Sequence, residues 1–144
     1  MKIAVGSDHA GLELKSHILR VLEDWGHEVV DLGTHDARST DYPIYGKAVA
    51  KAVAAGEAKL GVVICGTGIG ISLAANKVEG IRAANCLNEY MATMARAHND
   101  ANVLALGDRI VGKGLAESIL RAFLDTEFEG GRHARRVALL DDPS

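Results

Sequence analysis

Five short apolar runs punctuate the chain, and between them apolar residues return at helical spacing. The runs are Lys2 to Val5, His27 to Leu32, Val62 to Cys65, Ile81 to Cys86 and Asn102 to Leu106, and each reads as a strand. Between the first two, Leu12, Leu14, Ile18, Leu19, Val21, Leu22 and Trp25 mark a helix that Gly26 ends, with Ser7 or Asp8 placed to cap its start. Pro43 opens an alanine-rich helix over Ile44 to Ala55, whose thin apolar face suits close packing. Ile71, Ala74, Ala75 and Val78 give a helix after the third run. Asn88 caps another from Glu89 to Ala97, and Leu115 to Leu124 forms the one after the fifth run. Strands alternating with helices at this spacing predict right-handed crossovers. The fold expected is α/β: one doubly wound, Rossmann-like three-layer α/β/α sandwich with a five-stranded parallel sheet. It takes in residues 1–144 as a single domain, with a helical tail from about residue 129.

In such a sheet, ligands gather beyond the carboxyl ends of the strands. Asp8 and His9 follow the first strand, and the polar loop Gly33 to Tyr42 follows the second. Cys65 and the turn Gly66-Thr67-Gly68-Ile69-Gly70 end the third, and Asp108-Arg109 follows the fifth. A strand feeding a helix through a glycine turn presents backbone N–H groups at a positive helix end, which suits an anion or a developing oxyanion. The Gly-x-Gly-x-Gly spacing is not the dinucleotide fingerprint, and no Lys-Ser/Thr follows to make a P-loop. Such a turn can be tight packing alone, and a cysteine ending an apolar strand is commonly a small core residue. Their coincidence is what points to chemistry.

Composition narrows the classes. The chain is 48% hydrophobic but 4% aromatic, so its core is expected to be aliphatic. A formal net charge of −3 gives no reason to expect nucleic-acid binding. No apolar run approaches the length of a membrane span, and the chain starts directly on a strand, without a signal peptide's apolar segment. Cys65 and Cys86 form neither a CxxC pair nor a metal-ligand spacing, so a reduced, cytoplasmic setting is expected.

Long motifs then carry a resemblance. GSDHAG at 6–11, TDYP at 40–43, CGTGIGIS at 65–72, ANK at 75–77, GIRAA at 80–84, HNDANVL at 98–104 and GGRH at 130–133 run in order along nearly the whole chain. Together they resemble type B ribose-5-phosphate isomerases, a group that also holds galactose-6-phosphate and allose-6-phosphate isomerases. The resemblance implies aldose–ketose isomerisation through an enediolate, with no cofactor and no metal. It implies Cys65 as the base, which as a thiol of ordinary pKa ~8.5 needs a nearby positive end to act as thiolate. The N–H groups of Gly66, Thr67, Gly68, Ile69 and Gly70 would hold the oxyanion. His98 would open the sugar ring, Asn99 would bind a hydroxyl, and Asp8 and Tyr42 would contact the open chain. His9, Arg109, Arg132 and Arg136 would hold the phosphate.

The same resemblance implies a homodimer, or a dimer of dimers, with the site shared between subunits; which residues cross the interface is left open. On its own, the basic tail reads as a solvated surface helix. His17 is expected to be exposed, His27 to be structural and Cys86 to be core; His35 and His133 stay uncertain accessories. Ribose 5-phosphate is the default substrate, with allose 6-phosphate and galactose 6-phosphate as alternatives. A reading from another class is a phosphate- or nucleotide-binding regulatory module, which would use the glycine turn and arginines but need no thiol.

Overall fold

The computed structural model describes residues 1–144. Its five strands are β1 (Lys2–Ser7), β2 (Glu28–Asp31), β3 (Leu60–Cys65), β4 (Ala83–Asn85) and β5 (Val103–Gly107). All pair in parallel, in the order β2-β1-β3-β5-β4. The helices are α1 (Leu12–Asp24), α2 (Tyr42–Ala54), α3 (Ile69–Ala75), α4 (Glu89–Ala97), α5 (Lys113–Asp125) and α6 (Arg132–Asp141), with a 3-10 turn at His9–Gly11 before α1. The doubly wound parallel sheet is therefore as expected. None of the helices is long and apolar enough to cross a membrane.

The two-residue side-chain period of a strand divides the core between the sheet's faces. Ile3, Val5, Val62, Ile64, Leu104 and Leu106 point to one face, where they pack with Leu14, Ile18 and Leu22 of α1 and Ile119, Leu120 and Phe123 of α5. Ala4, Val63, Cys65, Val103 and Ala105 point to the other, against Val49 and Ala50 of α2 and Ile71 and Ala75 of α3. β3 sits between β1 and β5 and is buried throughout. Truncating its fully buried Ile64 to alanine would cost about 2–5 kcal/mol.

Three elements depart from the sequence expectation, each for a local polar reason. α3 stops at Ala75 rather than reaching Val78, because the Asn76 side chain pairs with Ala83 in both directions. Its Nδ2 donates to the Ala83 carbonyl at 3.0 Å, and its Oδ1 accepts from the Ala83 N–H at 2.7 Å. The fourth strand shrinks to Ala83–Asn85 because Asn102 Oδ1 takes the Arg82 N–H at 2.8 Å. His17 is half-buried rather than exposed, its ring lying 2.8 Å from the Glu117 carboxylate of α5. At the start of α1, Asp8 Oδ1 accepts from the Gly11 N–H and Asp108 Oδ2 from the Leu14 N–H. Asp108 thereby serves the fold, and its neighbour Arg109 is left for the surface above the sheet.

Candidate active site

From β1 the chain first steps outward to β2, then returns to β3 on the other side of β1. At such a reversal the crossing helices part, and a crevice opens beyond the carboxyl ends of β1 and β3. Asp8 and His9 leave β1 there, and Cys65 ends β3. His9 is fixed by the polar loop: its Nδ1 accepts the Thr40 N–H at 3.1 Å, which leaves Nε2 as the donor of the neutral ring.

Cys65 is buried, and its Sγ accepts a hydrogen bond from the Gly68 N–H at 3.2 Å. The N–H groups of Gly66 and Thr67 make no hydrogen bond within the chain, so they remain available to an incoming oxygen. Gly68 has φ +81°, and a Cβ there would lie 2.3 Å from Asn85 Oδ1. Two neighbouring glycines let functional side chains close over the turn. A Cβ on Gly66 would meet Arg109 Nη1 at 3.2 Å, and one on Gly70 would meet the Tyr42 ring at 2.8 Å. Arg109 and Tyr42 thus flank the glycine turn, and the Arg109 N–H donates to the Gly66 carbonyl at 3.0 Å. Asn85, which the sequence reading did not single out, braces the turn from β4 by donating to the Thr67 carbonyl at 3.3 Å. Its signal was a lone amide closing an otherwise apolar strand.

The remaining candidates lie elsewhere. α4 starts beyond the carboxyl end of β4 and runs back, so His98 and Asn99 emerge beside the amino end of β5. α5 runs back likewise, the Glu129 N–H donates to the Ala97 carbonyl, and α6 lies across that same amino edge. Its far end meets the start of β4, where Asp141 takes Arg82 Nη1 at 2.9 Å. Arg132 and Arg136 are one turn apart on α6 and exposed. A five-residue strand spans roughly 17 Å, so the two groups sit on opposite edges of one sheet. The structure gathers Asp8, His9, Tyr42, Cys65, Arg109 and the glycine turn on the carboxyl edge. It gathers His98, Asn99, Arg132 and Arg136 on the amino edge.

At the amino edge the His98 and His133 rings stack, with centroids 4.1 Å apart and planes within 9°. Glu129 Oε2 lies 3.7 Å from His98 Nε2 and 3.9 Å from His133 Nε2. His133 is buried, and its imidazole pKa is held below the ordinary value by burial and then by the neighbouring His98 and Arg132. Of the other candidates, His35 is exposed near Asp31, and His27 contacts the chain's amino terminus at 3.1 Å. Cys86 is buried in the core, which pushes its thiol up to about 11.

The chain matches the ribose/galactose isomerase family model over residues 3–140. It is 54% identical over 136 residues to ribose-5-phosphate isomerase B of Escherichia coli K12, covering 94% of this chain and 91% of that one. It is also 49% identical over 137 residues to the galactose-6-phosphate isomerase subunit LacB of Clostridium acetobutylicum, covering 95% and 79% of the two chains. Among solved structures it is similar to ribose-5-phosphate isomerase B of Clostridium thermocellum, with TM-score 0.97, 58% identity, and coverage of 98% and 95%.

Proposed function

Because the chain belongs to the ribose/galactose isomerase family, we propose that it interconverts D-ribose 5-phosphate and D-ribulose 5-phosphate, without a cofactor, using Cys65 as the base. The observation that carries this reading is the single thiol at the switch point, bound by the Gly68 N–H of a turn that has free backbone donors and is flanked by Arg109 and Tyr42. His98 protonates the ring oxygen as its bond to C1 breaks, and the C1 hydroxyl gives up its own proton to solvent, from which His98 is reprotonated, so that C1 becomes an aldehyde. The Cys65 thiolate removes the proton from C2, and the electron pair forms the C1–C2 double bond and places charge on O1. The Gly66 and Thr67 N–H groups hold that charge, each donor worth on the order of 3 kcal/mol. A proton passes from O2 to O1, and the Cys65 thiol returns its own to C1, leaving the ketone at C2. Asp8, Tyr42 and Asn99 hold the sugar hydroxyls, while His9, Arg109, Arg132 and Arg136 hold the phosphate. Since Cys65 acts as a free thiolate, the protein belongs in a reducing, cytoplasmic compartment.

This division of labour requires a second copy of the chain, because His98, Asn99, Arg132 and Arg136 leave the opposite edge of the sheet from Cys65. The face it would cover is the β4 side. β2, the other outer strand, ends in charged Glu28 and Asp31, whereas β4 is uncharged and flanked by exposed Ile69, Leu73, Leu87, Tyr90 and Met91. An open apolar edge of this kind is normally paired or covered. A twofold partner antiparallel across β4 brings its amino edge to this chain's carboxyl edge, completing two sites per dimer.

The similarity to a galactose-6-phosphate isomerase subunit favours a six-carbon substrate as the second reading. Turnover of ribose 5-phosphate, allose 6-phosphate and galactose 6-phosphate by purified, chelator-treated protein separates the two. Fast conversion of the five-carbon sugar that disappears in a folded Cys65→Ala variant is the expected result. Retention of most activity by that variant removes Cys65 from its role, and no turnover of any sugar by folded dimer overturns the isomerase reading.

A further inference from the structure

The stacked pair at the amino edge contains a residue to which the reaction described above gives no part. His133 is on the first turn of α6, and its ring lies flat against His98 rather than facing solvent. Its Nε2 is buried and has no hydrogen-bond partner, although Glu129 Oε2 stands 3.9 Å away. The same oxygen stands 3.7 Å from His98 Nε2. Two imidazoles and one carboxylate this close suggest a metal site, but the ring geometry argues against one. A metal ion lies in the plane of each imidazole that binds it, and an ion in the plane of one of these near-parallel rings would lie well out of the plane of the other. Face-to-face stacking is instead the arrangement of one flat ring used to hold another.

We propose that His133 is a positioning residue for His98: its buried ring is the shelf that fixes the His98 imidazole, and Glu129 supplies the carboxylate that faces the His98 proton. The proposal rests on His98 being the ring-opening acid. His98 sits at the end of α4, 37% exposed, and no hydrogen bond holds its ring, so a free imidazole there would rotate about its side-chain bonds. Stacking removes that freedom before substrate arrives, and pre-set orientation is what makes a general acid efficient. Burial first, then the charges of His98, Arg132 and Arg136 against the opposing Glu129, hold the His133 imidazole below its ordinary value, which favours an uncharged shelf beneath His98. The arrangement is a base–orienter pair in which the orienter works mainly through a ring face instead of a hydrogen bond.

Three variants of the full-length protein test it, His133→Asn, His133→Phe and His98→Ala. Each is read by two rates: conversion of ribose 5-phosphate, which must be ring-opened, and solvent-deuterium exchange at C1 of ribulose 5-phosphate. The latter is an open chain, because O5 carries the phosphate, and its exchange needs the Cys65 base and the substrate-holding groups but no ring-opening acid. The expected result is that His133→Asn loses ribose 5-phosphate conversion by at least ~tenfold, part of the roughly 10²–10⁴ a general acid supplies, while keeping deuterium exchange. His133→Phe, which restores a flat ring, recovers most of the conversion. Equal loss of both rates in His133→Asn makes the residue merely structural and overturns the proposal. So does equal impairment of the Asn and Phe variants, or wild-type behaviour in both. Full ribose 5-phosphate conversion by His98→Ala would instead remove the premise about His98, an outcome distinct from the others.

Discussion

The two edges of the sheet are built by different means. At the carboxyl edge the groups are held by backbone and by the absence of side chains. Gly68 and Gly70 admit Asn85 and Tyr42 to distances no Cβ would allow, Gly66 lets Arg109 in closely, and Cys65 is fixed by its place at the end of a fully buried strand. At the amino edge the groups project from helix ends: His98 leans on His133, and Arg132 and Arg136 stand in solvent. Proton transfer at carbon tolerates little misplacement, so it belongs on the rigid edge. Phosphate capture by Arg132 and Arg136 acts on a part of the substrate that can swing, and long side chains on a helix suffice for it, while His98 is steadied by the His133 ring. In the dimer proposed above, the half that a second copy would contribute is therefore the half built on helix ends rather than on the sheet.

The largest effect should come from separating the edges by mutation and recombining them. Cys65→Ala and His98→Ala are each expected to be nearly inactive. When they are unfolded together and refolded, half of the dimers pair one chain of each kind, and one of the two sites in such a dimer is whole. Activity should therefore rise to about a quarter of wild type, measured by initial rates on ribose 5-phosphate. A mixture no more active than its parts would mean that both edges of one site come from the same chain.

A smaller loss is expected from Gly68→Ala. The positive φ and the 2.3 Å approach to Asn85 Oδ1 force the turn to shift, at a cost of about 1–3 kcal/mol. Since the Gly68 N–H reaches Cys65, kcat should fall by roughly ten- to a hundredfold, whereas thermal unfolding should register the loss of stability only modestly. Unchanged kcat in this variant would show that the turn does not align the donors.

The smallest effect concerns the second thiol. Because burial raises Cys86 to about 11, its thiolate is populated by only about one part in a thousand at pH 8, and it gains nucleophilic character only as pH approaches that value. Iodoacetamide at pH 8 should therefore label Cys65 alone, in parallel with loss of activity, as read by peptide mass spectrometry. Cys86→Ala should leave turnover unaltered.

Much of the carboxyl edge was legible in the sequence because it depends on local chain signals. An apolar run meeting three glycines specifies a strand, a turn and a helix start, and the alternation of strands with helices places Asp8, Cys65 and Arg109 on one edge without any coordinate. The amino edge was not legible in this way. His98 and Arg132 are separated by an entire helix, and only the run-back of α4 and α5 reveals that they meet. The stacking of His133 had no pattern to announce it, since a histidine between arginines on a basic tail looks the same whether it points inward or out. The early end of α3 and the late start of β4 were missed for a similar reason: each rests on an asparagine side chain, Asn76 or Asn102, reaching across sequence to bind backbone.

The uncharged β4 strand carries one more consequence, concerning quantity rather than geometry. If a working centre exists only where two chains meet, the yield of catalysis per chain is set by mass action as well as by chemistry. Diluted below the dissociation constant of the pair, the protein would lose turnover in proportion to the falling fraction of dimers, with every chain still folded. Specific activity plotted against protein concentration would then report the strength of the β4 contact directly, with no structural probe at all.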